Sequence, residues 1–103
     1  MRLEYGFRLE DCDVPRFAVE AGEGVGKLFT LATLVLNVIA TKTQIEIIFH
    51  GLNPEDPERK IEAFKEIVKS APSGPCLNFS VGESGRVPGS SSYFQWLIVT
   101  SSD

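Results

Sequence analysis

The stretch Gln44-Ile-Glu-Ile-Ile-Phe-His50 is short and apolar, and it lies between two segments with helical periodicity. Its three isoleucines and its phenylalanine are typical of a β-strand. A lone strand between two helices cannot be half of a hairpin, so this arrangement predicts crossover connections and parallel strands. The segment therefore indicates an α/β fold.

The segment before this strand, Leu28 to Ala40, has polar residues only at every third or fourth position. This spacing fits the helical period of 3.6 and not the strand period of two. Because apolar residues cover most of its circumference, we expect a helix that is buried on more than one side. Its threonine, valine and isoleucine content lowers helix propensity, so a pair of strands is the alternative.

The segment after the strand begins with turn residues, Gly51 to Asp56. Asp56 is a candidate helix cap, and Pro57 suits the first helical position. A single apolar stripe predicts a helix that lies on the surface of the core and ends near Ser70. The stripe contains Ile61, Phe64, Ile67, Val68 and Ala71.

Two strands are predicted in the first part of the chain. Arg2 to Glu10 alternates apolar and charged residues, which indicates a strand with one wet face. Arg16 to Ala21 is a second candidate strand, with Phe17 and Val19 on one side.

The last part of the chain contains two more candidate strands, Cys76 to Val81 and Tyr93 to Thr100, separated by a Gly- and Ser-rich loop from Gly82 to Ser92. Tyr93 to Thr100 is apolar on both alternating faces, which is typical of a central strand. We expect Trp96 to contribute to the core, and a terminal helix is the alternative for this segment.

We therefore predict a single α/β domain, with α+β as the fallback class. Its predicted element order is β-β-α-β-α-β-β, with two helices and a mixed sheet of about four or five strands. The centre of the sheet is expected to be parallel, with antiparallel pairing at its end. The length of 103 residues is that of one ordinary domain.

Composition excludes several classes of protein. A hydrophobic fraction of 43% with 23% charged residues is typical of a folded globular chain. The net charge of -4, with scattered basic residues, argues against nucleic-acid binding. The most apolar stretch is too short for a membrane span, and the N-terminus lacks the continuous apolar region of a signal peptide. We expect a cytoplasmic protein without a nucleic-acid or membrane partner.

The Gly-rich turn Ala21-Gly-Glu-Gly-Val-Gly-Lys27 is a weak candidate for anion binding. Gly24, Gly26 and Lys27 precede a predicted helix, where backbone amides and the helix dipole favour phosphates. The spacing matches neither the P-loop nor the dinucleotide-binding loop, and Glu23 would repel an anion. A flexible strand-to-helix turn is the preferred interpretation.

His50, Cys12 and Cys76 are the residues with the greatest chemical potential. His50 ends a predicted strand, where α/β sheets often bind ligands. One histidine with two distant cysteines does not match a zinc site, and no cofactor or metal is predicted. The cysteines are expected to be reduced thiols, although the sequence does not exclude that they lie close together.

Arg86 is the only cation in the predicted loop from Gly82 to Ser92, and this loop is a candidate for closing over a ligand or a partner. No pattern pairs a nucleophile with a base. The sequence therefore favours a small cytoplasmic binding or assembly module without catalytic activity, which forms a homo-oligomer or binds a protein partner, with self-association preferred. The alternative is a small enzyme or ligand-binding protein with a pocket near His50 and the Gly-rich turn.

Overall fold

The structure of the protein is a computed structural model, and it describes residues 14–22, 25–40, 44–71 and 77–101. These residues form a mixed four-stranded sheet and two α-helices. The elements in chain order are β1 (Arg16–Val19), α1 (Leu28–Ile39), β2 (Gln44–Gly51), α2 (Asp56–Lys69), β3 (Leu77–Arg86) and β4 (Tyr93–Ser101), with a 3-10 turn at Val25–Lys27 before α1. The predicted mixed sheet with two helices is confirmed. The predicted strand Arg2 to Glu10 lies outside the described residues.

The sheet order is β1-β2-β4-β3. β1 and β2 are parallel, as a strand between two helices predicts, whereas β2 pairs with β4 and β4 pairs with β3 in antiparallel fashion. Among the four described strands the parallel pair therefore lies at one edge, and the predicted parallel centre is wrong for them. The chain leaves β2 through α2 and enters β3 two strand positions away, and the β3–β4 hairpin then places β4 in the position between them.

Two segments that the sequence left ambiguous are settled by the structure. Leu28–Ile39 is a helix and not a strand pair, and Tyr93–Ser101 is a strand and not a helix. The predicted loop from Gly82 to Ser92 is shorter than expected, because Gly82 to Arg86 continue β3 after an irregularity between Val81 and Ser84. The sequence did not indicate this extension of β3, because its glycine and serine residues are typical of loops.

Both helices cover the same face of the sheet. The core contains the side chains that β1, β2 and β4 direct to that face, together with the apolar stripes of α1 and α2. Phe49 and Phe64 lie at its centre in an edge-to-face contact with ring centroids 5.8 Å apart. The largest fully buried side chains are Phe17, Phe49, Phe64, Leu28, Leu31, Ile45, Ile47, Ile61 and Leu97.

The turn between β2 and α2 is closed by the carboxylate of Asp56. This carboxylate accepts hydrogen bonds from the backbone N–H groups of Leu52 (3.0 Å) and Asn53 (3.1 Å). Asp56 is thus the first residue of α2 and not its cap, because Glu55 occupies the cap position without a side-chain cap bond. The carboxylate holds the preceding turn against the start of the helix.

Gly51 allows this turn to pass close to α2. A Cβ atom at Gly51 would overlap the Cβ of Asp56 and lie 2.7 Å from Cδ of Pro57, whereas a Cβ atom at Gly26 would meet nothing within 4 Å. We expect Gly51→Ala to lower the free energy of unfolding by about 1–3 kcal/mol, since the backbone must shift. Gly26→Ala is the matched control and should change it by less than about 1 kcal/mol.

Urea denaturation of both variants at equal protein concentration measures this difference. Equal midpoints for Gly51→Ala and Gly26→Ala would contradict the close approach of the turn to α2.

Candidate functional site

The face of the sheet opposite the helices carries no helix or strand among the described residues. Side chains alternate along β2, so Ile45, Ile47 and Phe49 enter the core and the intervening residues point to the opposite face. We call this opposite surface the outer face. The strand register assigns to it Arg16 and Ala18 of β1, Gln44, Glu46, Ile48 and His50 of β2, Asn78, Ser80, Gly82 and Gly85 of β3, and Phe94, Trp96, Ile98 and Thr100 of β4.

The strand register arranges these side chains in rows that cross the strands. The Arg16 row contains Arg16, Glu46, Ile98 and Ser80. The central row contains Ala18, Ile48, Trp96 and Gly82. The His50 row contains His50, Phe94 and Gly85, together with Glu20, which follows β1 and lines the same cleft as His50. The middle of the outer face is therefore apolar, and charged or polar groups lie on both sides of it.

An ion pair and a cation–π contact join the first two rows. Arg16 Nε donates to Glu46 Oε1 at 3.0 Å, and the Arg16 guanidinium lies over the Trp96 ring at 5.6 Å from its centroid. The Glu46 side chain is 9% exposed and that of Arg16 is 41% exposed, so the pair is only partly screened by water. Trp96 is half-buried on the outer face, which corrects the prediction that it belongs to the core.

Two clefts flank Trp96. A cleft of about 460 Å³ is lined on the β1 side by Arg16, Phe17, Ala18, Glu20, Ile48, His50 and Trp96. A smaller cleft of about 270 Å³ is lined by Arg16, Glu46, Gly82, Glu83, Trp96 and Ile98. The small side chain of Ala18 and the absence of one at Gly82 leave this space beside the indole. A Cβ atom at Gly82 would lie 3.1 Å from Cβ of Trp96.

His50 lies at the end of the larger cleft. Its Nδ1 is 3.1 Å from the backbone oxygen of Val19. Because a carbonyl oxygen only accepts, Nδ1 carries the proton in this bond. The bond also ties the end of β2 to the end of β1.

Lys60 of α2 joins the ends of the same two strands from the opposite side of the sheet. Its Nζ donates to the backbone oxygens of Glu20 (3.1 Å), Ala21 (3.2 Å) and His50 (2.8 Å). Three carbonyl acceptors match the three hydrogens of an ammonium group. Burial lowers the pKa of Lys60, and the charge of Asp56 opposes that shift. Lys60 therefore acts as a structural cation at the ends of β1 and β2.

The remaining candidates from the sequence do not converge on one site. Lys60 binds the carbonyls of Ala21 and His50, so the beginning of the Gly-rich turn does lie beside the histidine. Gly26 and Lys27 are exposed at the 3-10 turn that precedes α1. Arg86 is exposed at the end of β3 and borders a shallow hollow formed by the β3–β4 turn.

Three other candidates, Cys12, Gly24 and Cys76, lie outside the described residues. Their predicted roles, and the possible proximity of the two cysteines, stay predictions.

Sequence reasoning missed Arg16, Glu46, Trp96 and Lys60 as components of one region. Lys60 had a usable signal, because it lies four residues before Phe64 and one before Ile61, on the apolar stripe of α2. A charged residue on such a stripe indicates a buried partner. The Arg16–Glu46 pair had no such signal, since 30 residues separate its members.

The described ranges contain neither a metal-site arrangement nor a membrane-spanning helix. No group of three or more His, Cys, Asp or Glu side chains there is arranged to hold a metal ion. No described helix has both the length and the apolar character needed to cross a bilayer.

Comparison with protein-family models, with curated proteins and with solved structures gives no match to this chain.

We expect Lys60→Met to lower the free energy of unfolding by about 1–3 kcal/mol, because it leaves three partly buried carbonyl oxygens without this donor. Lys65→Met on the same helix is the matched control. Lys65 is partly exposed, forms a 3.6 Å ion pair with Glu62 and should contribute about 0.5 kcal/mol.

Chemical denaturation at neutral pH compares these two lysine variants. A loss of stability for Lys60→Met no larger than that for Lys65→Met would show that the three carbonyl contacts add little.

Proposed function

We propose that this protein is a small non-catalytic assembly module that self-associates through the outer face of its sheet. The observation that carries the proposal is the apolar central row. Ile48 and Trp96 lie half-exposed in the middle of this face, with Phe94 and Ile98 beside them. A sheet face in contact with water normally carries polar side chains, and an apolar one is typical of an interface.

The polar groups near this face support a binding role more than a catalytic one. The amine of Lys60 has three backbone acceptors, and Nδ1 of His50 bonds to the Val19 oxygen. Arg16 and Glu46 neutralise each other. These polar groups therefore already have partners within the protein, whereas a catalytic site leaves such groups available to contact a substrate.

Face-to-face packing is favoured over extension of the sheet at β3. The register of β3 shifts between Val81 and Ser84, which is typical of a β-bulge, and the charged Glu83 lies within this irregular region. Bulges and edge charges disfavour the addition of another strand. The outer face is the regular, apolar surface of the sheet. A second copy that packs there would therefore remove more apolar area from water than one that pairs with β3.

The size of the outer face predicts a weak dimer. The 8 residues of β2 span about 26 Å at ~3.3 Å per residue, and four strands ~4.8 Å apart span about 19 Å. The resulting ~500 Å² per copy, or ~1,000 Å² in total, is near the lower limit of specific interfaces. We therefore expect a reversible dimer with a dissociation constant in the micromolar range.

Light scattering from about 1 μM to about 1 mM protein should show the molar mass rising from the monomer to the dimer value. Trp96→Ala should weaken this association at least about tenfold, because a buried aromatic anchor contributes much of an interface's energy. Phe29→Ala is the matched control, since Phe29 is 67% exposed on α1, away from the outer face.

Circular dichroism and thermal melting must show that both aromatic variants remain folded. A mass equal to the monomer at every concentration would refute self-association, and equal weakening by the two variants would exclude the outer face.

A second candidate function, the binding of a small molecule, is favoured by the larger cleft. Its volume of about 460 Å³ falls in the range of ligand pockets, and the polar side chains of His50 and Arg16 line it. Native mass spectrometry of freshly purified protein should then detect a retained molecule. Ala18→Leu fills the cleft with a larger side chain and should abolish retention of the molecule, whereas Gly26→Ala, away from the cleft, should not. A wild-type protein that carries no retained molecule in the mass spectrum would contradict this function.

The cytoplasmic location and the absence of a nucleic-acid partner stay predictions from composition. Fractionation of cells that express the tagged protein tests the first, and titration with duplex DNA at low salt tests the second.

A further inference from the structure

We propose that the larger cleft beside Trp96 binds a neutral, planar aromatic molecule that carries an amide or hydroxyl group. This inference rests on the second candidate function, the binding of a small molecule in this cleft, and adds the chemical class of the ligand. It does not require self-association. Three features of the cleft support it: its shape, the pairing of its charged groups, and the polar ring of His50.

The cleft has a low apolar floor and an aromatic wall. Along the central row the side chains increase in size from Ala18 through Ile48 to Trp96. Two strand spacings between Ala18 and Trp96 give the floor a width of about 10 Å, and the four-residue step from Glu46 to His50 gives it a length of about 13 Å. This shape accommodates a single aromatic ring or a fused pair of rings.

The indole of Trp96 favours an aromatic ligand over an aliphatic chain. Aromatic rings in offset or edge contact with each other are stabilised beyond the area that they bury. The Arg16 guanidinium lies over the Trp96 ring at 5.6 Å from its centroid, so the wall is already held in place before a ligand binds. A rigid flat molecule also loses less conformational entropy on this floor than a flexible chain does.

The charged groups around the cleft disfavour a charged ligand. Arg16 forms an ion pair with Glu46 at 3.0 Å, and Glu20, which also lines the cleft, has a further interaction within the chain. An anion would have to compete with Glu46 for Arg16 and would approach Glu20, whereas a cation would approach the guanidinium. Because a charge that leaves water without a counter-ion is costly, a neutral molecule fits this cleft best.

His50 provides a polar contact for such a molecule. Its Nδ1 is 3.1 Å from the backbone oxygen of Val19, and its Nε2 forms no hydrogen bond within the part of the chain that the structure describes. With the proton on Nδ1, Nε2 accepts a hydrogen bond when the ring is neutral and donates one when the ring is charged. Amide and hydroxyl groups both donate and accept, so they match either state of the ring.

Benzamide, benzoate and benzamidinium test the ligand class, because they share one ring and similar shapes and differ in charge. The full-chain, isotope-labelled protein is titrated with each probe, and the indole N–H resonance of Trp96, the only tryptophan, reports binding. We expect benzamide to shift this resonance saturably with a dissociation constant in the millimolar range, as its small size implies. It should bind at least about fivefold more tightly than either charged probe.

Two variants test the position of the probe. Ala18→Leu raises the floor of the cleft and should weaken benzamide binding at least about tenfold, whereas Gly26→Ala should change it by less than about twofold. Circular dichroism checks that both variants are folded. Nuclear Overhauser contacts between the benzamide ring and the methyl groups of Ala18 and Ile48 in the wild-type protein give a second measurement, which does not depend on the folding of any variant.

The outcomes separate the ligand class from the functions proposed above. Equal or tighter binding of benzoate or benzamidinium would retain a ligand site and overturn its neutral class. No saturable shift with any probe up to about 50 mM would overturn the inference together with the ligand-binding function. Unchanged benzamide binding by Ala18→Leu would place the probe outside the cleft and would also overturn the inference. A protein that is monomeric by light scattering and binds benzamide would refute self-association and support this inference.

Discussion

The ammonium group of Lys60 is the interaction on which the arrangement of the outer face depends. It donates hydrogen bonds to three carbonyl oxygens at the ends of β1 and β2, and these bonds attach both strand ends to α2. A neutral side chain at this position could not satisfy all three oxygens. The attachment keeps His50 beside Val19 and thereby sets the end of the larger cleft.

The position of the helices gives the outer face its significance. Both helices pack on one side of the sheet, and the buried phenylalanine, isoleucine and leucine side chains of the core lie between the helices and that side. Apolar residues at Ile48, Trp96 and Ile98 are therefore surplus to the core of one copy. Ile48 and Trp96 lie between two rows that contain charged and polar groups, which resembles an interface with an apolar centre and a polar rim.

The arginine–tryptophan contact connects the stability of this face with its proposed role. Arg16 neutralises Glu46 and at the same time covers one side of the Trp96 ring. In the proposed self-association, a tryptophan held in this way would lose little conformational freedom, which would lower the entropic cost of association. The clefts on its two sides leave it as a ridge that an identical face can accommodate.

Much of the fold was predictable because its signals are local. The apolar run from Gln44 to His50 indicates a strand and the period of 3.6 before and after it indicates two helices, and the structure confirms these elements. The extension of β3 through Gly82 was not predictable in this way, because glycine and serine also dominate loops. Of the candidate site, only His50 was identified from the sequence and is found in the larger cleft.

The amino-acid sequence by itself determined the order of the described elements and the apolar stripe of α2, since these follow from the spacing of residues a few positions apart. Only the tertiary structure decided that β4 lies between β2 and β3, and that Arg16, Glu46 and Trp96 meet on one face. Strand order and register depend on contacts between residues far apart in the chain. Local periodicity contains no information about which of several apolar strands will be neighbours.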